Sequence, residues 1–264
     1  MKRFATLLLL NLSIFHGLTD AVRGQAADSI PNELQEIILG IDDAANQRDL
    51  DQLIEYYADD FSNTDGLSPE TLSRAIGQMW EQYPQLEYNT EINSWSQTGE
   101  ELVAETTTAI KGEKNTQGRK ISLQSEITSR QYFQDGKLLR QEILAEQSQL
   151  TSGINPPEVE LVAPTEVKLG AKYNFDLIVN EPLGDQVLLG GLREEKTASN
   201  LYLNPGAVEL EPLPAGGIYK VGTAPLLPDS NWLSAILVRG DGIIMITHRV
   251  NIKEELNNSK PDQP

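Results

Sequence analysis

The residues of this sequence that could carry out chemistry together are an arginine and two carboxylates. Glu126 and Arg130 lie on the same face of one predicted strand, with only Thr128 between them on that face. An arginine beside a carboxylate could bind a carboxylate of a ligand or polarise a carbonyl group. Asp60, at the predicted end of a helix, is a further candidate acid. The alternatives are an ordinary ion pair across the sheet and a solvated carboxylate at a helix end.

The strongest turn signal in the sequence determines the expected register of this strand. Asp135-Gly136 predicts a two-residue type I′ turn, because these residue types accept positive φ angles. Counting back from the turn gives these pairs: Gln134 with Lys137, Tyr132 with Leu139, Arg130 with Gln141, Thr128 with Ile143 and Glu126 with Ala145. The face that they share carries several apolar side chains, so we expect it to be the concave face beneath the helices. Glu126, Arg130 and Tyr132 would then line a pocket.

Two aromatic residues are further candidates for the pocket wall. Tyr57 belongs to the apolar stripe of a predicted helix, and Trp95 lies in the first predicted strand region. Either side chain could contact a ligand or pack in the hydrophobic core. The predicted ligand-binding residues are therefore Tyr57, Asp60, Trp95, Glu126, Arg130 and Tyr132.

No catalytic residue, metal-ligand set or cofactor motif is predicted. Catalysis by a histidine in the pocket is not expected, because His248 is the one histidine beyond the predicted signal peptide and lies on a predicted strand of the second half. The chain has no cysteine, which excludes disulfides, thiolate metal sites and cysteine nucleophiles. The pairs Gly190-Gly191 and Gly216-Gly217 precede no predicted helix and do not indicate a phosphate-binding loop.

Three amphipathic helices are predicted to position these residues. Asp49 with Gln52 marks a restart between the first helix and the second. The third helix begins at Ser68, an N-cap residue followed by Pro69 at the first helical position. From Leu86 the apolar period changes to two, which predicts four antiparallel strands. The predicted fold of the first half is an α+β cone, with three helices on a curved antiparallel sheet.

The second half of the chain has short strand candidates separated by turn residues, and it has no helical period. Seven or eight such strands predict an all-β sandwich. The predicted organisation is a signal peptide at 1–26, an α+β domain at 27–151, a linker at 152–157, a β-sandwich domain at 158–253 and a flexible tail at 254–264. Because each half has its own apolar pattern, we expect residues 27–151 to fold alone.

The N-terminus has the pattern of a secretory signal peptide. Lys2-Arg3 is followed by an apolar stretch and then by Gly24-Gln25-Ala26, which predicts cleavage near Ala26 and export to the periplasm or the medium. The alternative is an uncleaved anchor. Polar residues interrupt the apolar stretch, which is short for a membrane span, so cleavage is favoured over an anchor and no span is expected after it. The net charge of −18 disfavours nucleic acid as a partner.

Two motifs in the first half resemble a known superfamily. They are Leu53-x-x-Tyr56-Tyr57-x-x-Asp60-Phe61 after the second helix and Asp135-Gly136-Lys137-Leu138 at the last hairpin. With the order of the elements over residues 32–150, they resemble the nuclear transport factor 2-like superfamily, which includes steroid-isomerase-like and polyketide-cyclase-like proteins. The resemblance implies a conical fold with a pocket that serves many purposes. The second half resembles bacterial immunoglobulin-like sandwiches by pattern.

Three hypotheses for function follow. The first is an exported, non-catalytic binding or interaction module whose pocket takes a small apolar or carboxylate-bearing ligand, with a protein partner as a further possibility. The second is a pocket enzyme of isomerase or hydrolase type that uses Asp60 or Glu126 as the base. The third is a structural or adhesive protein that acts through the sandwich. The oligomeric state and the ligand's identity stay open. An enclosed pocket with two ionisable groups near one point would favour an enzyme.

Overall fold

The computed structural model describes residues 29–256, except residues 117, 183, 185, 214 and 215. The predicted signal peptide and residues 257–264 of the predicted tail lie outside the described residues. Within the described part, none of the helices combines the length and the apolar character that crossing a bilayer requires.

Three helices come first, in the predicted order. α1 spans Asn32–Gln47, α2 spans Leu50–Glu55 and α3 spans Pro69–Gln82. Asp49 caps α2 by accepting a hydrogen bond from the Gln52 N–H at 3.0 Å, as the sequence predicts. Ser68 caps α3 in a reciprocal capping box. α1 buries one apolar stripe, which consists of Leu34, Ile37, Ile38, Ala44 and Ala45.

The second helix is shorter than predicted. Its apolar stripe predicts a helix that includes Tyr57, but α2 ends at Glu55 and Tyr57 begins strand β1, Tyr57–Asn63. β1 is parallel to β5, Lys137–Gly153. The chain joins the sheet at this point, where the Leu138 N–H donates a hydrogen bond to the Tyr56 carbonyl at 2.8 Å. Asp60 therefore lies on a strand and not at a helix end.

The predicted antiparallel meander is present. It consists of β2 (Gln85–Thr98), β3 (Glu101–Thr116), β4 (Arg119–Gln134) and β5. Asp135 and Gly136 have φ angles of 51° and 75°, and they join Gln134 to its partner Lys137 as the type I′ turn predicts.

Beyond the turn, the register differs from the prediction. β5 has one extra residue at Leu139 and another at Leu144, so the pairing with β4 shifts at each of them. Arg130 pairs with Glu142 instead of Gln141. Bulges of this kind change register locally, and a count from the turn cannot include them.

The concave face of β4 is opposite to the one predicted. The helices pack against Ile121, Leu123 and Ile127 of this strand. Glu126 and Arg130 occupy the alternate positions, so they belong to the outer face. The prediction gave more weight to the apolar residues of β5 than to these three, and that choice of face is wrong.

The C-terminal half is rich in strands and contains one short helix in its described part. Its elements are β6 (Val159–Val162), β7 (Glu166–Lys168), β8 (Lys172–Val179), β9 (Leu189–Lys196), α4 (Ser199–Leu203), β10 (Glu211–Pro212), β11 (Gly217–Thr223), β12 (Asp229–Arg239) and β13 (Gly242–Lys253). The sequence pattern misses α4, because none of its five residues is buried and no apolar stripe marks it.

Two sheets contain these strands. The larger has ten strands, and its main path is β10-β9-β12-β13-β5-β4-β3-β2, with β1 on β5 and β7 on β13. The smaller has the order β11-β8-β6. Buried residues of both sheets form one hydrophobic cluster, with Phe175 and Leu177 from β8 and Leu233, Leu237 and Ile246 from β12 and β13.

The two halves of the chain share the larger sheet. β13 pairs with β5 from Gly242 opposite Gly153 to His248 opposite Gln147. The described residues from Pro31 onward belong to one compact unit. The predicted linker 152–157 begins inside β5, and Arg239 Nη2 donates to its Asn155 carbonyl at 3.1 Å. The domain boundaries themselves stay a prediction.

α1 also contacts the outer edge of β2, the last strand of the larger sheet. The Asn46 side chain donates to the Tyr88 carbonyl at 2.9 Å and accepts from the Tyr88 N–H at 2.8 Å. Two residues further along the strand, Asp42 Oδ2 accepts the Thr90 N–H at 2.6 Å. Side chains of the helix therefore bond backbone groups that a neighbouring strand would otherwise bond.

Candidate functional site

The main candidate site is a cavity of about 450 Å³ between the three helices and the concave face of the sheet. Most of its wall is apolar and includes Ile38, Ile41, Ile76, Met79, Leu123 and Ile127. Its polar members include Asp42, Tyr57, Tyr88, Thr90, Gln131 and Gln141. An apolar enclosure with a few convergent polar groups is typical of a small-molecule site.

Asp42 is the acid of this cavity. It projects from α1, and its two oxygens accept the Thr90 N–H at 2.6 Å and the Thr90 hydroxyl at 2.7 Å. Burial raises the pKa of Asp42 above its ordinary value, and Asp43 adds to this effect, while the two bonds from Thr90 oppose it. The net direction is upward, so Asp42 holds its proton more readily than a solvated aspartate does.

Two phenols lie beside this acid. Burial, with smaller contributions from Tyr88 and Asp42, raises the pKa of Tyr57 to about 12. Burial also raises the pKa of Tyr88, although the bond that its hydroxyl accepts from Trp80 Nε1 at 3.1 Å opposes the shift. Both hydroxyls are therefore protonated at neutral pH and can donate hydrogen bonds to a ligand.

Gln131 places an unsatisfied amide at the cavity. The residue is 8% exposed, and its Oε1 has no hydrogen-bond partner among the described residues. Its neighbour Gln141 is bonded differently, because Gln141 Nε2 donates to the Ser129 hydroxyl at 3.2 Å. A buried acceptor without a donor costs about 1–3 kcal/mol, so this amide favours a ligand that brings a donor.

Of the six predicted ligand-binding residues, Tyr57 lines the cavity. None of the other five is among the described residues of its wall. Asp60 and Glu126 are exposed. Trp95 is half-buried on β2 near the far end of that strand.

Arg130 and Tyr132 lie on the outer face of the sheet, because the concave face of β4 is opposite to the one predicted. Arg130 Nη2 donates to Glu105 at 2.6 Å and Nη1 to Glu142 at 3.3 Å. The Tyr132 hydroxyl also donates to Glu142, at 2.9 Å, and the Arg140 guanidinium lies 3.2 Å from the Tyr132 ring centroid. The predicted pair of Arg130 with Glu126 is therefore replaced by an ion-pair network outside the cavity.

Asp42 is the functional candidate that the sequence prediction misses. It follows Ile38 by four residues and precedes Ala45 by three, so it interrupts an apolar stripe with an acid. That spacing is the signal that could have identified it. Gln131 and Tyr88 could not be found in this way, because their role depends on which face of the sheet is concave.

The described residues of the cavity wall include no lysine, arginine or histidine. No cluster of histidine, aspartate and glutamate suited to a metal ion occurs in the described part of the chain. The described wall therefore offers a ligand apolar surface, hydroxyls, amides and one carboxyl group.

Three helices that cover a curved antiparallel sheet, with a pocket between the two layers, define the cone of the nuclear transport factor 2-like superfamily. Residues 41–141 match the model of the SnoaL-like domain, and this part of the chain is a SnoaL-like domain of that superfamily. The resemblance predicted from the sequence motifs is thereby confirmed. Residues 154–253 match a second model, a domain of unknown function (DUF8623).

Several solved structures are similar to part of this chain at low identity and low TM-score. A SnoaL-like polyketide cyclase from Agrobacterium tumefaciens is 15% identical, with 42% of this chain and 88% of that chain covered and a TM-score of 0.31. An LEH-like epoxide hydrolase from M. tuberculosis is 14% identical, with 42% and 80% covered and a TM-score of 0.30. Bd1075 from Bdellovibrio bacteriovorus is 14% identical, with 42% and 38% covered and a TM-score of 0.32.

The matched part of this chain thus spans 38% of the length of Bd1075. Among curated proteins, none matches the chain.

Proposed function

We propose that the protein binds a small, neutral and mainly apolar molecule in the cavity of its SnoaL-like domain. The observation that carries the proposal is the composition of the wall: an apolar enclosure of about 450 Å³ with one acid and no basic side chain among its described residues. A carboxylate-bearing ligand is less favoured, because its negative charge would be buried next to Asp42 without a counter-charge.

The polar groups of the wall indicate what the ligand carries. Gln131 Oε1 needs a donor, such as a hydroxyl or an amide N–H of the ligand. The hydroxyls of Tyr57 and Tyr88 can donate to a carbonyl or ether oxygen. A ring system with one hydroxyl and one carbonyl group would satisfy both requirements.

The binding test uses the neutral fluorophore N-phenyl-1-naphthylamine and a variant that fills the cavity. Ile127→Trp places a large side chain in the wall and is expected to weaken binding of the fluorophore more than about tenfold, because it removes the space for the rings. The matched control is Gln124→Trp, at an exposed position on the same strand. Equal binding by the two variants would contradict the proposal.

We further infer that the protein is exported, that it acts as a binding module without catalysis, and that its C-terminal half is an immunoglobulin-like β-sandwich. The signal-peptide pattern at residues 1–26 supports export. The hydrophobic cluster shared by two sheets supports a sandwich. Mass spectrometry of the protein from the culture medium and the periplasm, with an N-terminus near Ala26 or Ala27, would test the export.

A second candidate function is a pocket enzyme that transfers a proton through Asp42. The raised pKa of Asp42 and its place in the cavity favour this candidate. With the neutral ketone 2-tetralone in D₂O, NMR would follow deuterium exchange at the carbon next to the carbonyl. If the protein is an enzyme, it should exchange the hydrogen on this carbon faster than the Asp42→Asn variant does. Equal exchange rates for the protein and the variant would contradict the enzyme candidate, and only the binding function would remain.

A further inference from the structure

The C-terminal half of the chain contributes to the wall of the cavity. α4 lies between β9 and β10 in the chain and packs beside α3 of the SnoaL-like domain. Tyr202, Leu203 and Pro205 are among the residues that line the cavity. These three residues fall within the range 154–253 of the second matched domain and outside the SnoaL-like range.

Tyr202 anchors this segment at two points. Its hydroxyl donates to Asp65 Oδ2 at 2.6 Å. Its ring packs edge-on against Trp232, with 5.0 Å between the ring centroids and an interplanar angle of 84°. Trp232 is fixed in turn, because its Nε1 donates to Glu146 at 2.8 Å.

The acceptor of the Tyr202 bond is rigidly held. Arg249 Nη1 donates to Asp65 Oδ1 at 2.9 Å, and both side chains are 0% exposed. Burial raises the pKa of Asp65, but the bonds from Arg249, Tyr202 and Thr197 outweigh it, and the net direction is downward. Asp65 is therefore a carboxylate at neutral pH and a strong acceptor for the Tyr202 hydroxyl.

α4 itself contributes little to its own position. It has five residues, no side-chain N-cap and no buried residue. A helix of this length is not stable by itself in water. Tyr202 keeps 37% of its surface accessible, although its hydroxyl is bonded to Asp65. Beyond Pro205 the chain is fixed again, where Arg193 Nη1 donates to the Ala207 carbonyl at 2.9 Å. Residues 199–205 are not part of any strand in either sheet, so a movement of this segment would leave the strand pairing intact.

We propose that residues 199–205 close the cavity, that the bond between Tyr202 and Asp65 holds them shut, and that Leu203 and Pro205 determine the size of ligand accepted. The proposal rests on the proposed function of the cavity as a site for a neutral, mainly apolar molecule. It assigns a role in ligand selection to residues of the C-terminal half.

The first test measures how fast a bound probe leaves. Tyr202→Phe keeps the ring against Trp232 and removes the hydroxyl, so the closed form loses its bond to a charged acceptor. The dissociation rate of N-phenyl-1-naphthylamine, measured by stopped-flow fluorescence on the full chain, is expected to rise about tenfold. The matched control is Tyr219→Phe, at an exposed tyrosine of β11, where the rate should not change.

The second test leaves the anchor in place and changes the wall. Leu203→Trp reduces the space in the cavity, so it is expected to weaken binding of N-phenyl-1-naphthylamine about tenfold and binding of the smaller indole much less. If circular dichroism shows that Tyr202→Phe does not fold, Leu203→Trp still tests whether residues 199–205 select the ligand.

The outcomes separate this proposal from the one on which it rests. If Ile127→Trp abolishes probe binding while Tyr202→Phe and Leu203→Trp bind and release the probe as the unchanged protein does, the closing segment is refuted and the cavity site stands. If Ile127→Trp binds the probe normally, the probe does not occupy the cavity and the proposed function fails first.

Discussion

Burial determines the charge of His248 in the folded protein. Its Nε2 lies 3.1 Å from the Pro164 carbonyl, and its Nδ1 is buried without a hydrogen-bond partner among the described residues. Burial lowers the pKa of His248 by more than Pro164 and Glu146 raise it. A second ring proton would place a charged donor where no acceptor is available, so the folded state favours the neutral ring.

Acid should therefore destabilise the protein through His248. Its pKa is lower in the folded state than the ordinary 6.5, so the unfolded chain binds the extra proton first. The contribution of the neutral ring to stability is complete above the pKa that His248 has in the unfolded chain. It is lost as the pH falls toward the lower pKa of His248 in the folded protein. Between about pH 7.5 and 5.5 the free energy of unfolding should fall further for the protein than for His248→Gln. Urea unfolding at both pH values measures the difference, and equal losses would contradict the assignment.

Arg249 is the buried charge on which two acids depend. It is 0% exposed and bonds both Asp65 and Glu146. Burial lowers the pKa of Arg249, but its two acidic partners outweigh burial, and the guanidinium stays charged. A buried ion-pair network of this kind stabilises a fold little more than apolar residues of similar volume in its place would. Removing only one partner is costly, because the remaining buried charges then have no counter-charge.

Arg249→Met is accordingly expected to lower the free energy of unfolding by about 3–5 kcal/mol. The matched control is Arg74→Met, because Arg74 pairs with Glu70 at 3.9 Å on the exposed surface of α3. That change should cost less than about 0.5 kcal/mol. Thermal or urea unfolding compares the two, and similar losses would show that the buried network does not stabilise the fold.

At the scale of the elements, local signals predict ends and turns but not bulges. Each cap or turn involves only a few neighbouring residues, as at Asp49, Ser68 and Asp135-Gly136. The local sequence is therefore enough to predict these features. The extra residues of β5 at Leu139 and Leu144 depend on how the sheet curves under the helices. No local pattern records that curvature.

Glycine in α1 provides a test of how the first two helices pack. A Cβ at Gly40 would lie 2.1 Å from the Tyr56 hydroxyl oxygen, so Gly40→Ala must displace this tyrosine and should cost about 1–3 kcal/mol. At Gly77 in α3, a Cβ would meet nothing within 4 Å, and Gly77→Ala should stabilise the protein by about 0.5–1 kcal/mol. Opposite signs in urea unfolding are expected, and a loss at both positions would contradict this packing.

At the scale of the molecule, the two halves of the chain are joined by three kinds of contact. The shared sheet, the ion pairs of Arg249 and the contact of α4 with the cavity all cross from one half to the other. The sequence could predict two halves, because each has its own periodicity. Their joining could not be predicted, because it depends on Asp65, Glu146 and Arg249 meeting from distant positions in the chain.

A fragment that ends at residue 151 is expected to be much less stable than the full chain, in contrast to the independent folding that periodicity alone predicts. Deleting the C-terminal half removes the partner strand of β5 and leaves Asp65 and Glu146 without Arg249. Circular dichroism should record a lower melting temperature or a broad, non-cooperative transition. A sharp transition at the temperature of the full chain would restore the prediction of independent folding.

The bonds between α1 and the outer edge of β2 have a consequence for self-association. An unpaired edge strand is a template on which a second copy can add a strand, and this is a route to dimers and fibrils. Asn46 and Asp42 occupy the backbone groups of Tyr88 and Thr90 at that edge, and exposed acids on the same strand, Glu87 and Glu91, add repulsion. Asp42, the acid of the cavity, therefore also bonds a backbone group at the edge to which a strand of another copy could otherwise be added.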